Sequence, residues 1–225
     1  MTGDRIDYEG DGLAEADLAD NPYDQVTAWV DAAVARQQDL GDVPEPAALS
    51  VATVDEDGRP DVRTVLMRFL DPRGPGFVTN LASTKGRQLR AHPAVAASLT
   101  WPSMFRAVRF RGSAEEIPEA EVTAYFRQRP WGARISAWAS AQSQPVGSRE
   151  DLEAAFAGYA ERYPDHGGAT DVPVPPEWGA FRIVPDRVEF WGGRRNRLHD
   201  RLVFTREGTG DLADAGAWRV TRLQP

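Results

Sequence analysis

Hydrophobic and polar positions change period several times along the chain, and each change predicts an element. After a polar, acidic stretch, Asn21-Pro22 opens a segment in which Val26, Trp29, Val30, Ala33 and Val34 recur at i, i+3 and i+4, the stripe of an amphipathic helix. From Ala47 the period is two. Ala47–Val54 ends on the turn sequence Asp55-Glu56-Asp57-Gly58 and Val62–Leu70 follows, so 47–70 reads as a β-hairpin. A second turn over Asp71–Gly76 leads into a third strand at Phe77–Thr79. A short helix is expected over Thr84–Ala91, then strands over Ala94–Thr100 and Phe105–Ile117. Helical patterns cover Glu119–Arg127, Ile135–Ala141 and 149–162, the last with Ser148 as its cap and Asp151 in its first turn. Asp165–Pro176 reads as a loop, and strands near 179–184, 187–192, 199–205 and 217–222 complete the pattern.

Strands joined by short hairpins and interrupted by helices do not alternate as βαβ units, and no glycine-rich fingerprint follows a strand. That argues against a parallel dinucleotide-binding sheet. The expected class is mainly β with peripheral helices, an antiparallel barrel. Residues 1–21, with seven acids and few apolar groups, read as a mobile arm, and 22–225 as a single domain.

Composition narrows the chemistry. A net charge of −8 makes nucleic acid and anionic membrane surfaces poor partners. No cysteine is present, which removes disulfides, thiolate metal sites and cysteine nucleophiles. His92, His166 and His199 have no ligand spacing, so no metal is expected. No apolar run is long enough to span a bilayer and Met1–Gly12 is too polar for a signal peptide, so a cytoplasmic location is expected. Lys85 is the single lysine among 26 basic residues.

Five segments concentrate candidate chemistry. In Arg63-Thr64-Val65-Leu66-Met67-Arg68, alternation puts Arg63, Val65 and Met67 on one face of a strand and Thr64, Leu66 and Arg68 on the other. Two arginines there fit either a held anion or a solvent-facing edge. Thr79–Gly86 places hydroxyls, an amide and Lys85 before a helix start, which fits a phosphate site or an ordinary cap. Tyr125 and Arg129 are spaced i, i+4 on an expected helix, an anion grip or a surface pair. Gln142-Ser143 follows an apolar helix and means little by itself. In Phe190–Arg201, Arg197, His199 and Arg201 alternate at period two, so on a strand they would project together and repel unless an anion neutralises them.

In this order, R-x-V-L, T-N-x-x-S-x-K, Y-F-x-x-R-P, A-W-x-S-x-Q-S and F-W-x-G-x-x-x-R-L-H-D-R resemble the pyridoxamine/pyridoxine 5'-phosphate oxidase family, from about Asp20 to Pro225. The resemblance implies an FMN-binding split β-barrel and a homodimer with FMN at the interface. It implies FMN contacts from Arg63, Thr64, Val65, Leu66, Met67, Arg68, Val78, Thr79, Thr84, Lys85, Gln142, Ser143, Trp191 and Arg201, with Arg63 and Lys85 on the phosphate. A small phosphorylated pyridine substrate would meet Arg68, Tyr125, Arg129 and Ala133, catalytic roles would fall to Arg197 and His199, and O2 would be the acceptor. Arg5 and Tyr8 resemble an R-x-x-Y motif of the arm that closes over the ligand. Four positions depart from the family pattern: Arg68 stands for lysine, Ala107 for glutamine, Thr84 for a basic residue and Ala133 for serine. Related enzymes oxidise phenazine-type dihydro-aromatics, and a non-catalytic flavin- or pyridoxal-phosphate-binding module is the third reading.

Overall fold

The computed structural model describes residues 7–225. Helix α1 (Pro22–Leu40) starts where expected because Asn21 caps it, accepting from the Asp24 N–H with its side chain. Strands β1 (Ala48–Val54) and β2 (Pro60–Leu66) form the first hairpin, and β3 (Phe69–Asp71) pairs with β4 (Gly74–Asn80). Helix α2 (Thr84–Ala91) follows, capped by Ser83. Strands β5 (Ala94–Trp101) and β6 (Arg106–Glu116) lead to helices α3 (Glu119–Gln128), α4 (Trp131–Ala139) and α5 (Arg149–Arg162). Strands β7 (Trp178–Gly192), β8 (Asp200–Arg206) and β9 (Trp218–Arg222) finish the fold.

All pairings are antiparallel, in the order β2-β1-β5-β6-β7-β4-β3, with β8 and β9 branching from β7. The two ends of that path, β2 and β3, are consecutive in sequence. The single strand expected over Val62–Leu70 is therefore split at a corner. The Met67 N–H donates to Ala47 O on one side (2.9 Å) and the Arg68 N–H to Gly76 O on the other (2.8 Å), so the sheet curls closed there.

Strand β7 is one strand where the sequence suggests two. Pro185 looks like a break, but the β6–β7 register shifts between Arg111 and Gly112, and a bulge there absorbs the proline. Along its other edge β7 pairs with β4 over its first half and with β8 over its second. The strand thus belongs to the barrel at Trp178 and to the β8–β9 extension at Trp191.

The main core fills the barrel with Leu49, Val51, Phe77, Leu99, Phe110, Ile183 and Phe190. Helix α1 closes one side, with Trp29 edge-on to Phe190 at 5.3 Å. A second apolar cluster, around Phe126, Ile135 and Val172, packs α3, α4 and α5 against Trp178. Among the described residues no helix is long and apolar enough to cross a membrane, and no group of His, Asp or Glu could hold a metal ion.

Candidate functional site

Between the barrel and the α3–α4 wall lies a cleft of about 1040 Å³. Strand β2 and its corner contribute Arg63, Thr64, Val65, Leu66 and Arg68, and β4 contributes Val78, Thr79 and Asn80. Helix α2 contributes Lys85, the α3–α4 junction Tyr125, Arg129 and Ala133, and the segment after α4 contributes Gln142. Four segments singled out in the sequence therefore converge. Four cations line the cleft and, among the described residues, no carboxylate does.

The cations fall into two pairs. Lys85 is buried, and its ammonium donates only to neutral oxygens: Gln142 Oε1 at 2.8 Å, Thr79 Oγ1 at 3.2 Å and Ser83 Oγ at 3.5 Å. Burial, and then the nearby Arg63 charge, push its pKa below the ordinary lysine value. Arg63 is steadied by Thr53 Oγ1 at 2.5 Å and by Asp61 at 2.6 Å. In the second pair, Arg129 lies over the Trp178 ring at 4.4 Å, and its Nη1 is buried without a partner among the described residues. Burial pushes the Arg129 guanidinium down, Tyr125 opposes that, and the Arg68 charge adds to it. A buried donor left unsatisfied costs about 1–3 kcal/mol, so this geometry calls for an anion.

Several sequence expectations are relocated. Tyr125 and Arg129 do not share a helix face: α3 ends at Gln128, and Arg129 is its extended cap, turned onto Trp178. Helix α4 begins at Trp131, four residues before the expected start, immediately after Pro130. Met67 is packed in the barrel core, and neither Met67, Thr84 nor Ser143 lines the cleft. Ser143 is exposed, with φ of 71°.

Trp191, Arg197, His199 and Arg201 lie elsewhere. Trp191 sits at the far end of β7, about 40 Å along the strand from Trp178 at roughly 3.3 Å per residue. The expected alternation of Arg197, His199 and Arg201 on one strand fails, because β8 begins only at Asp200. Residues 195–197 form a tight turn in which Asn196 and Arg197 take φ of 58° and 63°. Arg201 is bound to Glu189, with Nε–Oε1 at 2.8 Å. Burial would raise the Glu189 carboxyl, but hydrogen bonds from Arg201 and Arg109 hold it below its usual range. The His199 ring packs 4.8 Å from Trp191 and 5.3 Å from Tyr8, and its Nδ1 accepts the Arg194 N–H at 3.0 Å. Arg197 makes no side-chain hydrogen bond or ion pair among the described residues. Arg5 lies outside the described residues.

Residues 37–163 match the family described as pyridoxamine 5'-phosphate oxidase, and residues 178–225 match the C-terminal dimerisation region of pyridoxine 5'-phosphate oxidase. The chain belongs to the pyridoxamine 5'-phosphate oxidase family. Membership makes it an FMN-dependent oxidase with a dimerisation region. It is 45% identical to a pyridoxine/pyridoxamine 5'-phosphate oxidase of Burkholderia multivorans, over 98% of this chain and 97% of that one. The corresponding Streptomyces avermitilis protein is 47% identical over 98% and 94%. Among solved structures, PhzG from Burkholderia lata in complex with tetrahydrophenazine-1-carboxylic acid superposes with a TM-score of 0.82 at 29% identity, covering 96% of this chain and 99% of that chain. An FMN-binding, oxidase-related protein of Nostoc punctiforme gives 0.67 at 20% identity, over 92% and 99%, which supports the fold alone.

Sequence reasoning missed Gln128, Ser136, Ser140 and Trp178 as cleft residues of this oxidase. Ser136 becomes findable once the helix is started at Trp131, which puts it three residues after Ala133 on one face. Trp178 was not, because only tertiary packing brings β7 beneath Arg129.

Proposed function

We propose that this oxidase converts pyridoxamine or pyridoxine 5'-phosphate to pyridoxal 5'-phosphate as a homodimer, with O2 as acceptor and H2O2 as product. The supporting observation is the cleft's two cation pairs, free of any lining carboxylate: two pairs match two phosphate groups, one on FMN and one on the substrate. Four positive charges crowded together in a protein of net charge −8 repel one another unless dianions occupy the site.

FMN fits the residues present. Arg63 and Lys85 would hold its phosphate, Thr79 and Gln142 would add polar contacts, and Val65, Leu66 and Val78 would exclude water from the ring. The chemistry FMN supplies when bound is hydride acceptance from the substrate's C4′ carbon and reoxidation by O2 to hydrogen peroxide. Tyr125, Arg129 and Arg68 would fix the substrate phosphate and so orient C4′. His199, accepting at Nδ1, keeps its ring proton at Nε2, where it can donate to the pyridine 3-oxygen. Arg197, with no side-chain partner among the described residues, is available to cover the substrate ring. An oxidised amine leaves as an imine, which water hydrolyses to aldehyde and ammonia.

Trp191, Arg197 and His199 lie far along β7 from the cleft of their own chain, within the segment matching the dimerisation region. A second copy would bring that segment over the cleft, so each site would be built by two chains. The likeness to PhzG favours a second reading, oxidation of a dihydro-aromatic carboxylic acid. Arg68 supports it, since a guanidinium fork takes a carboxylate as readily as a phosphate. The purified protein, yellow with FMN and absorbing near 450 nm, decides between them. Anaerobic bleaching by pyridoxine or pyridoxamine 5'-phosphate upholds the first reading. Bleaching only by tetrahydrophenazine-1-carboxylic acid upholds the second, and bleaching by none refutes both.

A further inference from the structure

Composition predicts a mobile arm before α1; residues 7–18 are seated on the Trp191 end of β7 and on the segment after it that carries His199. Leu13 is buried, and Tyr8 packs 5.0 Å from Phe105, 6.0 Å from Trp191 and 5.3 Å from His199. The backbones touch: a side-chain carbon on Gly10 would come within 2.8 Å of Gly193 O. Gly12 holds φ of 75°, and a side-chain carbon there would collide with both Arg194 and Asp200.

Asp200 joins the arm to the turn. Its Oδ2 accepts the Leu13 N–H at 2.9 Å and Arg194 Nε at 3.0 Å, while Oδ1 accepts Arg222 Nη1 at 2.5 Å. Arg222 in turn binds Glu15 at 2.7 and 2.8 Å and donates to Leu13 O at 3.1 Å. Arg194 also donates to Asp11 O at 3.2 Å. The residue whose side chain is held by Asp200 and the arm is the same residue whose backbone N–H fixes His199 Nδ1. Burial would raise the Asp200 carboxyl, but the Leu13 N–H and the Arg222 guanidinium outweigh it and hold the group ionised.

We propose that Asp200 is a positioning residue: through it, docking of residues 7–18 holds the 194–199 turn in the shape that presents Arg197 and His199. The turn needs such a hold because Asn196 and Arg197 both occupy the left-handed region, a conformation that persists only where surroundings enforce it. The inference rests on the oxidase reading for its catalytic consequence and on geometry alone for the coupling.

The test uses the FMN-loaded full chain with two variants, Asp200→Asn and Gly12→Ala; the second sets a methyl group of the arm against Arg194 and Asp200 and changes no residue of the barrel core. Hydrogen exchange is followed over 7–18 and over 193–199. Both stretches are expected to exchange faster together in each variant. Reduction by pyridoxine 5'-phosphate should slow about 10- to 100-fold through misplacement, with KM changing less than kcat. FMN affinity should change less than the reduction rate, since neither substituted residue lines the cleft of its own chain. Faster exchange confined to 7–18, unchanged exchange in both stretches, or faster exchange with unchanged reduction each overturns the proposal. If the wild type reacts with neither phosphate ester, the phosphate-ester reading of the substrate fails and the exchange data alone decide the coupling.

Discussion

The two ends of β7 treat charge in opposite ways. At the Trp178 end, Arg68, Lys85 and Arg129 face the cleft with no carboxylate partner among the described residues, and of the four cleft cations only Arg63 holds an aspartate, outside the cleft lining. At the Trp191 end, Arg194 pairs with Asp200, Arg195 with Glu9, Arg201 with Glu189, and Arg222 with both Glu15 and Asp200. Arg197 is an exception there, with no carboxylate partner among the described residues. Balanced charge builds structure, because each ion's lost hydration is offset within the chain. Unbalanced, half-buried charge opposes folding until a ligand arrives. Arg197 is exposed but shares with Arg68, Lys85 and Arg129 the lack of a carboxylate partner among the described residues, although it lies in the other region.

The largest effect should come from that exception. Arg197→Ala is expected to slow anaerobic flavin reduction about 100-fold or more while FMN affinity holds, because positioning and proton management, not cofactor binding, are lost. Stopped-flow bleaching beside an FMN titration measures both. Unchanged reduction would return Arg197 to the structural set. Next is Arg129→Ala, which removes a charged donor from the substrate phosphate. KM for the phosphorylated substrate should rise about 10- to 100-fold, the equivalent of 1.5–3 kcal/mol. Because Arg129 Nη1 has no partner among the described residues, the stability of the ligand-free chain should fall by no more than the contact with the Trp178 ring is worth, about 0.5–2 kcal/mol. A larger loss of stability would show that the cleft cations are structural.

Glu189→Gln is the mirror experiment. The Glu189 side chain is only 5% exposed and neutralises Arg201, Arg109 and Arg187, so its loss leaves three guanidinium groups without an anion. All three are partly solvated, which limits the expected destabilisation to about 1–3 kcal/mol, read by denaturant unfolding. Phosphate affinity of the cleft should not change. A variant that keeps its stability but loses FMN would invert the comparison.

What the sequence disclosed, and what it hid, divides along the same line. Local signals were enough for α2 and α5, whose caps Ser83 and Ser148 mark their starts. Four of the five motif segments did meet in one cleft, because each is anchored on a regular element or directly beside one. Pro185 hid the continuity of β7, since a bulge can be seen only in the paired register. Arg129 was misplaced onto a helix because i, i+4 spacing says nothing about where a helix stops. The Asp200 clamp joins residues 187 positions apart, beyond reach of any local pattern. Composition counted the arm's acids as solvating groups, whereas Glu9 is the ion-pair partner of Arg195 in the turn and Glu15 that of Arg222 in β9.

The smallest effect concerns pH and concentrates on Lys85. Its folded pKa lies below the ordinary value of about 10.4, chiefly through burial and then through Arg63. In the ligand-free chain the charged form therefore opposes folding below that folded pKa, and the penalty fades as pH rises toward the unfolded value. Binding of a phosphate monoester has the reverse dependence. It is strongest while Lys85 is charged, and weakens as pH climbs through the lowered pKa. FMN affinity should accordingly begin to fall at a pH below the usual lysine range. Lys85→Arg, whose guanidinium stays charged, should remove that alkaline decline while lowering affinity at neutral pH a few-fold, because a planar fork replaces a compact ammonium held by Gln142 and Thr79. Fluorescence titration of FMN across pH 7–11 reads both limbs. Identical alkaline limbs in the variant and the wild type would show that the Lys85 charge does not hold the phosphate, and would leave Arg63 as the anchor at that end of the cleft.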